Sequence, residues 1–234
     1  MENIFREYLE KSFPDPEGKK LAYTAPVITI SREFGCPSKL VGQQLTELLN
    51  KRSEQTKTRK WRFINKEIVL EAARELELKP NDMNYLLSSG NKGFMEDILT
   101  SFTQPYVNQH RIRKTITRVI TAMALKGYVV IVGRGGVGVL QGCSNAIHIR
   151  LQAPLEWRIP EICKLRNVSE TEARKLAQET DHKRTDLIEM MLKDKFHPYL
   201  FHLTFNCSTL SIEEIVHTIA GLAETKKMIP GIYL

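Results

Sequence analysis

The sequence is poor in cysteine, has no long apolar run and lacks the G-x-x-x-x-G-K-[ST] phosphate-binding motif. Its four cysteines stand in separate segments without a C-x-x-C pair, which argues against a zinc site and favours free thiols. No apolar stretch reaches the roughly 18 residues that a membrane span needs, so no membrane partner is expected. The opening MENIFREYLEKSF carries charges where a signal peptide has its apolar core, which predicts a cytoplasmic protein.

Basic residues outnumber acidic ones, with 34 Lys and Arg against 27 Asp and Glu. This excess favours an anionic partner, which is a nucleic acid, a membrane surface or a phosphorylated small molecule. The densest basic stretch, NKRSEQTKTRKWR at residues 50–62, fits a solvated loop between two elements. A nucleic-acid contact is the alternative there, but a single tryptophan among basic residues supports it only thinly, so nucleic acid is an unlikely partner.

Five short apolar segments rich in β-branched residues predict strands at residues 27–31, 61–64, 128–132, 146–151 and 201–206. Helical periodicity occupies residues 39–50, 66–78 and 107–126, and Gly127 fits the end of the last of these helices. Two further helices should begin at Ser169 and Ser211, because each serine precedes a glutamate at capping-box spacing. The alternation predicts an α/β fold whose parallel sheet is covered by helices on both faces.

The loop after the first predicted strand, SREFGCPSK at residues 31–39, suits an anion. Ligands of open α/β sheets bind at the carboxyl ends of the strands, and amides at a helix start attract negative charge. Lys39 would add a cation, and Ser31 and Ser38 would add hydroxyl donors. An ordinary strand-to-helix turn with a solvated lysine fits the same residues.

The loop after the third predicted strand, GRGGVG at residues 133–138, contains G-x-G-x-x-G without the context of a dinucleotide site. The next strand begins at Ala146, too soon for a full crossover helix. A better role for this loop is to let the backbone approach an anion while Arg134 offers a forked donor to a phosphate. A tight turn whose arginine pairs with a surface carboxylate is the alternative.

A charged helical segment follows the fourth predicted strand and groups Asp181, Lys183 and Arg184. It fits an arm that closes over phosphates and excludes water, or a solvated amphipathic helix. Arg158, in APLEWR, either points back toward the loops or lies on the surface.

Six blocks, in order, resemble the cytidylate kinase-like proteins of the P-loop nucleoside monophosphate kinase superfamily. They are ISREFG (30–35), INKEIV (64–69), VIVGRG (130–135), APLEWR (153–158), SETEARKLAQETDHKR (169–184) and NCSTLSIEEI (206–215). The resemblance implies a three-layer P-loop kinase-like fold with a five-stranded parallel sheet over residues 26–225. It also implies an acceptor-binding lobe at 65–106 and a helical lid at 169–200, between an N-terminal helix and linker (1–25) and a C-terminal tail (226–234).

The activity implied by the resemblance is ATP- and Mg²⁺-dependent phosphoryl transfer to a nucleoside monophosphate, with a CMP- or dCMP-like acceptor favoured. Metal ligands and oligomeric state are not assigned. By position, the ATP-binding residues would be Ser31, Arg32, Gly35, Ser38 and Lys39; the acceptor-binding residues Gly133, Arg134, Gly135 and Lys66; and the catalytic residues Lys39, Arg158, Asp181 and Arg184.

Several departures from the family pattern support a second hypothesis. Relatives usually carry a GSGGRE-type loop where this chain has GCPSKL at residues 35–40. Pro37 removes an amide donor, and Lys39 keeps the charge of an arginine but loses its fork. Asn65 stands in place of an aspartate and Glu161 in place of an arginine. The alternative is therefore a degenerate, catalytically weak regulatory protein that binds a nucleotide or another phosphorylated ligand.

Overall fold

The computed structural model describes residues 25–64 and 109–229, which form an α/β structure around one parallel sheet. The sheet has five strands in the order β2-β3-β1-β4-β5, and every neighbouring pair is parallel. The predicted five-stranded parallel sheet is thus confirmed. The strands are β1 (Val27–Arg32), β2 (Arg62–Ile64), β3 (Val129–Val132), β4 (Ala146–Gln152) and β5 (Leu203–Asn206).

Helices cover both faces of the sheet. In the described part of the chain they are α1 (Ser38–Gln55), α2 (Gln109–Lys126), α3 (Gly136–Val139), α4 (Leu155–Arg166), α5 (Glu170–Leu192) and α6 (Ile212–Thr225), with a 3₁₀ turn at Pro198–Leu200. Across residues 25–64 and 109–229, no helix combines the length and the apolar character that crossing a membrane requires.

The core consists of two apolar layers, one on each side of the sheet. On one side, Ile28 and Ile147 pack with side chains of α1 and α6. On the other side, Val129 and Ile131 pack with side chains of α2 and α5. Because successive side chains of a strand point to opposite faces, strands buried on both faces read as continuous apolar runs.

Two helix starts and one helix end agree with the sequence patterns. The hydroxyls of Ser169 and Ser211 each accept a hydrogen bond from the amide three residues on, and the glutamate carboxylate at that position accepts one from the serine amide. Gly127 has a φ of +64°, and its amide donates to the carbonyl of Met123 at the end of α2. These local motifs stabilise the helix ends by satisfying backbone groups that would otherwise lack partners.

The prediction of a solvated loop at residues 50–62 is wrong for its first half, because α1 continues to Gln55. Arg52 in the last turns of α1 lies 3.1 Å from Glu224 of α6. The Asn50 side chain accepts from the Trp61 amide at 2.6 Å and donates to the Trp61 carbonyl at 3.1 Å. These long-range contacts hold the chain as it turns into β2.

The remaining predicted boundaries differ only slightly. The fifth strand begins at Leu203 rather than at residue 201, and two residues separate it from the end of the 3₁₀ turn at Pro198–Leu200. The predicted helix at 66–78, the lobe at 65–106 including Lys66, most of the N-terminal segment and the last residues of the tail lie outside the described residues.

Candidate functional site

A cleft of about 1030 Å³ opens at the carboxyl ends of the strands. Its walls come from the β1–α1 loop (residues 33–37), the β3–α3 loop (residues 133–135), α4, α5 and the turn after β5. The topology places it there, because the carboxyl ends of parallel strands meet at one edge of the sheet. Ten of the predicted site residues line the cleft: Ser31, Arg32, Gly35, Ser38, Lys39, Gly133, Arg134, Gly135, Asp181 and Arg184.

The β1–α1 loop uses most of its own amides within the protein. The amide of Glu33 donates to Leu151, that of Cys36 to Glu33, and that of Ser38 to Cys36. The amide of Phe34 donates to Oδ1 of Asp181 at 2.6 Å. Pro37 has no amide proton. Within residues 25–64 and 109–229, the loop and the first turn of α1 keep three amides without a protein acceptor, those of Gly35, Lys39 and Leu40.

Three arginines meet where β1 and β3 end. Arg184 donates from Nη1 to the Arg32 carbonyl at 3.0 Å. The Arg32 guanidinium covers Gly133 so closely that a Cβ on this glycine would lie 2.0 Å from Nη1. Arg134, whose charge acts on Arg32, is only 6% exposed. The sheet edge therefore holds a compact group of positive charges, of which Arg134 is buried and the other two are half-buried; we call it the arginine cluster (Arg32, Arg134 and Arg184).

Burial and mutual repulsion perturb this cluster. Burial, followed by the charge of Arg134, lowers the pKa of Arg32 to about 10. Burial, followed by the charge of Arg32, holds the pKa of Arg184 well below its ordinary value. Asp181 opposes both changes but does not cancel them. Since a bound anion would relieve the repulsion, the cluster is suited to a negatively charged ligand.

The backbone of the β3–α3 loop is unusual, and it places Arg134. Gly133, Arg134 and Gly135 have successive φ values of +81°, +60° and +64°. Such a conformation is unfavourable for a residue with a side chain, and strain of this kind clusters at functional sites. It brings Arg134 into the protein beside Arg32.

Arg158 does not line the cleft but lies behind the β1–α1 loop, with 7% of the residue exposed. Its Nε donates to the Ala153 carbonyl and its Nη1 to the Phe34 carbonyl, each at 2.9 Å. Nη1 also donates to Oδ2 of Asp181 at 2.7 Å. Lys39, by contrast, lines the cleft as an exposed side chain at the start of α1.

Three charged residues that line the cleft, Glu33, Arg150 and Arg166, were not among the predicted site residues. Glu33 accepts from the Ala153 amide at 3.1 Å and lies 3.5 Å from Arg150. The Arg150 guanidinium stands over the rings of Phe196 and Phe201. Arg166 stands over the ring of Phe34 at 5.5 Å. An arginine inside the predicted strand segment AIHIRL is the sequence signal that points to Arg150.

The thiols of Cys36 and Cys207 interact at the floor of the cleft. Their hydrogen bond raises the pKa of Cys36 and lowers that of Cys207, and burial adds to the increase at Cys36. All four cysteines are free, as the sequence predicts. Among the described residues, no group of three histidine, cysteine or carboxylate side chains could hold a metal ion.

Comparison with known proteins supports the family and the fold. A sequence model of the cytidylate kinase-like family matches residues 27–209, most of the chain. An uncharacterized protein from Eubacterium ventriosum superposes with a TM-score of 0.58 at 17% identity, covering 86% of this chain and 99% of that one. Shikimate kinase from Bacteroides thetaiotaomicron superposes with a TM-score of 0.47 at 14% identity, covering 85% of this chain and 98% of that one. A comparison with curated proteins gives no significant match.

Proposed function

The chain belongs to the cytidylate kinase-like family, and from this premise we propose that it transfers the γ-phosphoryl group of ATP to a nucleoside monophosphate, with a CMP- or dCMP-like acceptor favoured. The observation that carries the proposal is the arginine cluster at the carboxyl ends of β1 and β3. Phosphoryl transfer requires mainly positioning and positive charge around the transferred group. A cleft of about 1030 Å³ is large enough for nucleotide-sized ligands.

The proposed roles follow the two loops. Arg134 and Arg184 hold the acceptor phosphate, while the backbone at Gly133 and Gly135 lets it approach closely. ATP lies on the β1–α1 loop, where the free amides of Gly35 and Lys39, the Ser38 hydroxyl and the Lys39 ammonium face its phosphates. Ser31 and Arg32 complete this side. Lys66 remains a predicted acceptor-binding residue outside the described residues.

Exposed apolar side chains on the rim of the cleft offer a surface for a nucleobase. Four of them line it: Leu40, Trp157, Leu165 and Leu210. Stacking of a base on an aromatic side chain, which Trp157 offers here, contributes about 1–3 kcal/mol per base and tolerates different bases. This rim supports a nucleotide ligand, although it does not select the base.

Mg²⁺ fits the cleft as a partner of the nucleotide phosphates. The carboxylates of Glu33 and Asp181 are engaged by arginines. Among the described residues that line the cleft, the hydroxyls of Ser31 and Ser38 and the carboxylate of Glu161 are oxygen donors without such an ion pair. Mg²⁺ commonly keeps several waters and binds substrate phosphates, so few protein ligands are required. When bound, it would neutralise developing charge on the phosphoryl oxygens.

One observation favours the second candidate function, a catalytically weak regulatory protein that binds a phosphorylated ligand. The Phe34 amide is occupied by the Asp181 carboxylate, and Pro37 removes another donor from the same loop. Fewer amides are therefore left for ATP than in a complete phosphate-cradling loop.

A cytoplasmic location of the protein remains a prediction from the sequence.

The deciding experiment tests a panel of nucleoside monophosphates with ATP and Mg²⁺, alongside thermal-shift measurements with each nucleotide. We expect product formation, greatest with CMP or dCMP, and a loss of at least about 100-fold in turnover for Arg134→Ala and Arg184→Ala. Arg59→Ala, at an exposed position of the basic segment, is the control. Stabilisation by nucleotides without any product would favour the regulatory function, and wild-type turnover in both arginine variants would refute the site.

A further inference from the structure

We propose that Arg158 and Asp181 act together as a clamp on the backbone of the β1–α1 loop and thus as positioning residues, not as groups that touch the substrate. They hold both backbone groups of Phe34. Oδ1 of Asp181 accepts from the Phe34 amide at 2.6 Å, and Nη1 of Arg158 donates to the Phe34 carbonyl at 2.9 Å. The clamp closes on itself, because Nη1 of Arg158 lies 2.7 Å from Oδ2 of Asp181.

The other contacts of Arg158 are with Glu33 and with the residue that follows β4. Its Nε donates to the Ala153 carbonyl and lies 3.6 Å from Oε2 of Glu33. Glu33 in turn accepts from the Ala153 amide. The guanidinium thus joins the end of β4 to the first two residues of the β1–α1 loop. The carboxylates of Glu33 and Asp181 balance the buried charge of Arg158. Removal of either carboxylate would therefore leave the guanidinium charge poorly compensated.

The side chains of the loop reinforce the same attachment. The ring of Phe34 is 6% exposed and packs in an apolar cluster with Ile159 of α4 and Ala177 of α5. At Gly35, which has a φ of +93°, a Cβ would lie 2.9 Å from the Cβ of Arg158. Three successive loop residues are therefore fixed on the α4–α5 helix pair, and the clamp is the polar part of that attachment.

The consequence for ligand binding, which rests on the proposed function, concerns the amides that remain. Gly35 and the start of α1 can present their free amides to a phosphate only while the loop keeps this path. In Arg158→Ala, loss of the clamp should raise the KM for ATP and leave the KM for the acceptor unchanged. Asp181 also lies 3.7 Å from Nη1 of Arg184, so its variants should change both constants. Replacing a residue that contacts the acceptor directly would instead raise the KM for the acceptor and leave the KM for ATP unchanged.

The first test measures hydrogen exchange of individual amides by NMR in the unliganded full-length protein. In Asp181→Ala, exchange of the Phe34 amide should accelerate about 10- to 100-fold, because a hydrogen bond to a charged acceptor is lost. Asp181→Asn, which retains an acceptor oxygen, should give a smaller acceleration. The Ile131 amide in the sheet core serves as the internal reference for global stability.

A matched control exists on the same two helices. Glu156 of α4 and Arg174 of α5 form an exposed two-point ion pair that does not contact the loop. Arg174→Ala should leave the exchange of the Phe34 amide and the KM for ATP unchanged. If this variant accelerated Phe34 exchange as much as Asp181→Ala does, the effect would belong to helix packing and the proposal would be overturned.

The second test is a double-mutant cycle in which calorimetry measures the affinity of each variant for ATP. Arg158→Ala, Asp181→Ala and the double variant should lose similar affinity, since each opens the same clamp. Arg158→Lys replaces the alanine variant if that one does not fold, and it should lose affinity because lysine lacks the forked donor. Additive losses together with unchanged Phe34 exchange would show direct contact with the ligand and refute the clamp. If the wild type bound no nucleotide, the proposed function would fail, while the exchange rates would still decide whether the clamp exists.

Discussion

Replacing Arg32 by methionine is expected to stabilise the unliganded protein and to weaken binding of phosphorylated ligands. Arg32 belongs to the arginine cluster, where burial and the charge of Arg134 lower its pKa to about 10. Its charged form is therefore less favourable in the folded protein than in the unfolded chain. Methionine has a similar length and no charge, so it fills the space without this penalty.

The size of the effect follows from the pKa. The decrease from 12.5 to about 10 corresponds to roughly 3.5 kcal/mol, at about 1.4 kcal/mol per pKa unit. Because the folded-state pKa is the lower one, the penalty is fully present at pH 7 and disappears only as the pH rises from about 10 toward 12.5. We expect a gain of about 1–3 kcal/mol, since part of the side chain still faces the cleft.

The assay combines urea denaturation at pH 7 with calorimetric titration of ATP. Arg32→Met should unfold at higher urea and bind ATP at least about tenfold more weakly, because one of three clustered charges is gone. Arg59→Met, at an exposed position, should change the free energy of unfolding by less than about 0.5 kcal/mol. A less stable Arg32→Met variant that binds ATP as tightly as the wild type would refute the assignment of the cluster as an anion site.

Two further predictions concern β4 and the β3–α3 loop. Burial, followed by the charge of His202, lowers the pKa of His148 to about 4, so the free energy of unfolding should fall by about 3 kcal/mol as the pH drops from 6.5 to 4. His148→Gln should remove this part of the pH dependence in denaturation curves, and an unchanged slope would contradict it. Gly133→Ala places a Cβ 2.0 Å from Nη1 of Arg32 at a φ of +81°, so we expect about 1–3 kcal/mol lower stability and weaker ATP binding. Gly142→Ala is the control for both stability and ATP binding, because a Cβ at this glycine would have no atom within 4 Å.

The sheet could be predicted because its signals are local. β1, β3 and β4 are buried on both faces, so each reads as a short continuous apolar run. Ser169 and Ser211 mark helix starts by a motif that lies within four residues. The end of α1 was missed because its last turns depend on Glu224 and Trp61, which no local pattern connects to it.

The position of the candidate site was predictable, but its internal bonding was not. Parallel topology is enough to bring the β1–α1 and β3–α3 loops to one edge. The sequence does not reveal that the Phe34 amide is bonded to Asp181, a residue 147 positions away. It also left open whether Arg158 faces the loops or the surface. Such outcomes depend on tertiary packing, which decides how each buried polar group finds a partner.

The strand order has a consequence for synthesis of the protein. Among the described strands, β1 leaves the ribosome first, yet it lies at the centre of the sheet, and its partners begin at Val129 and Ala146. At translation rates of about 5–20 residues per second, the apolar segment VITI waits roughly 5–20 s before either neighbour exists. During that interval both of its edges are open to pairing with other nascent chains. Expression yield should therefore depend on chaperones that shield this segment more than on the final stability of the fold.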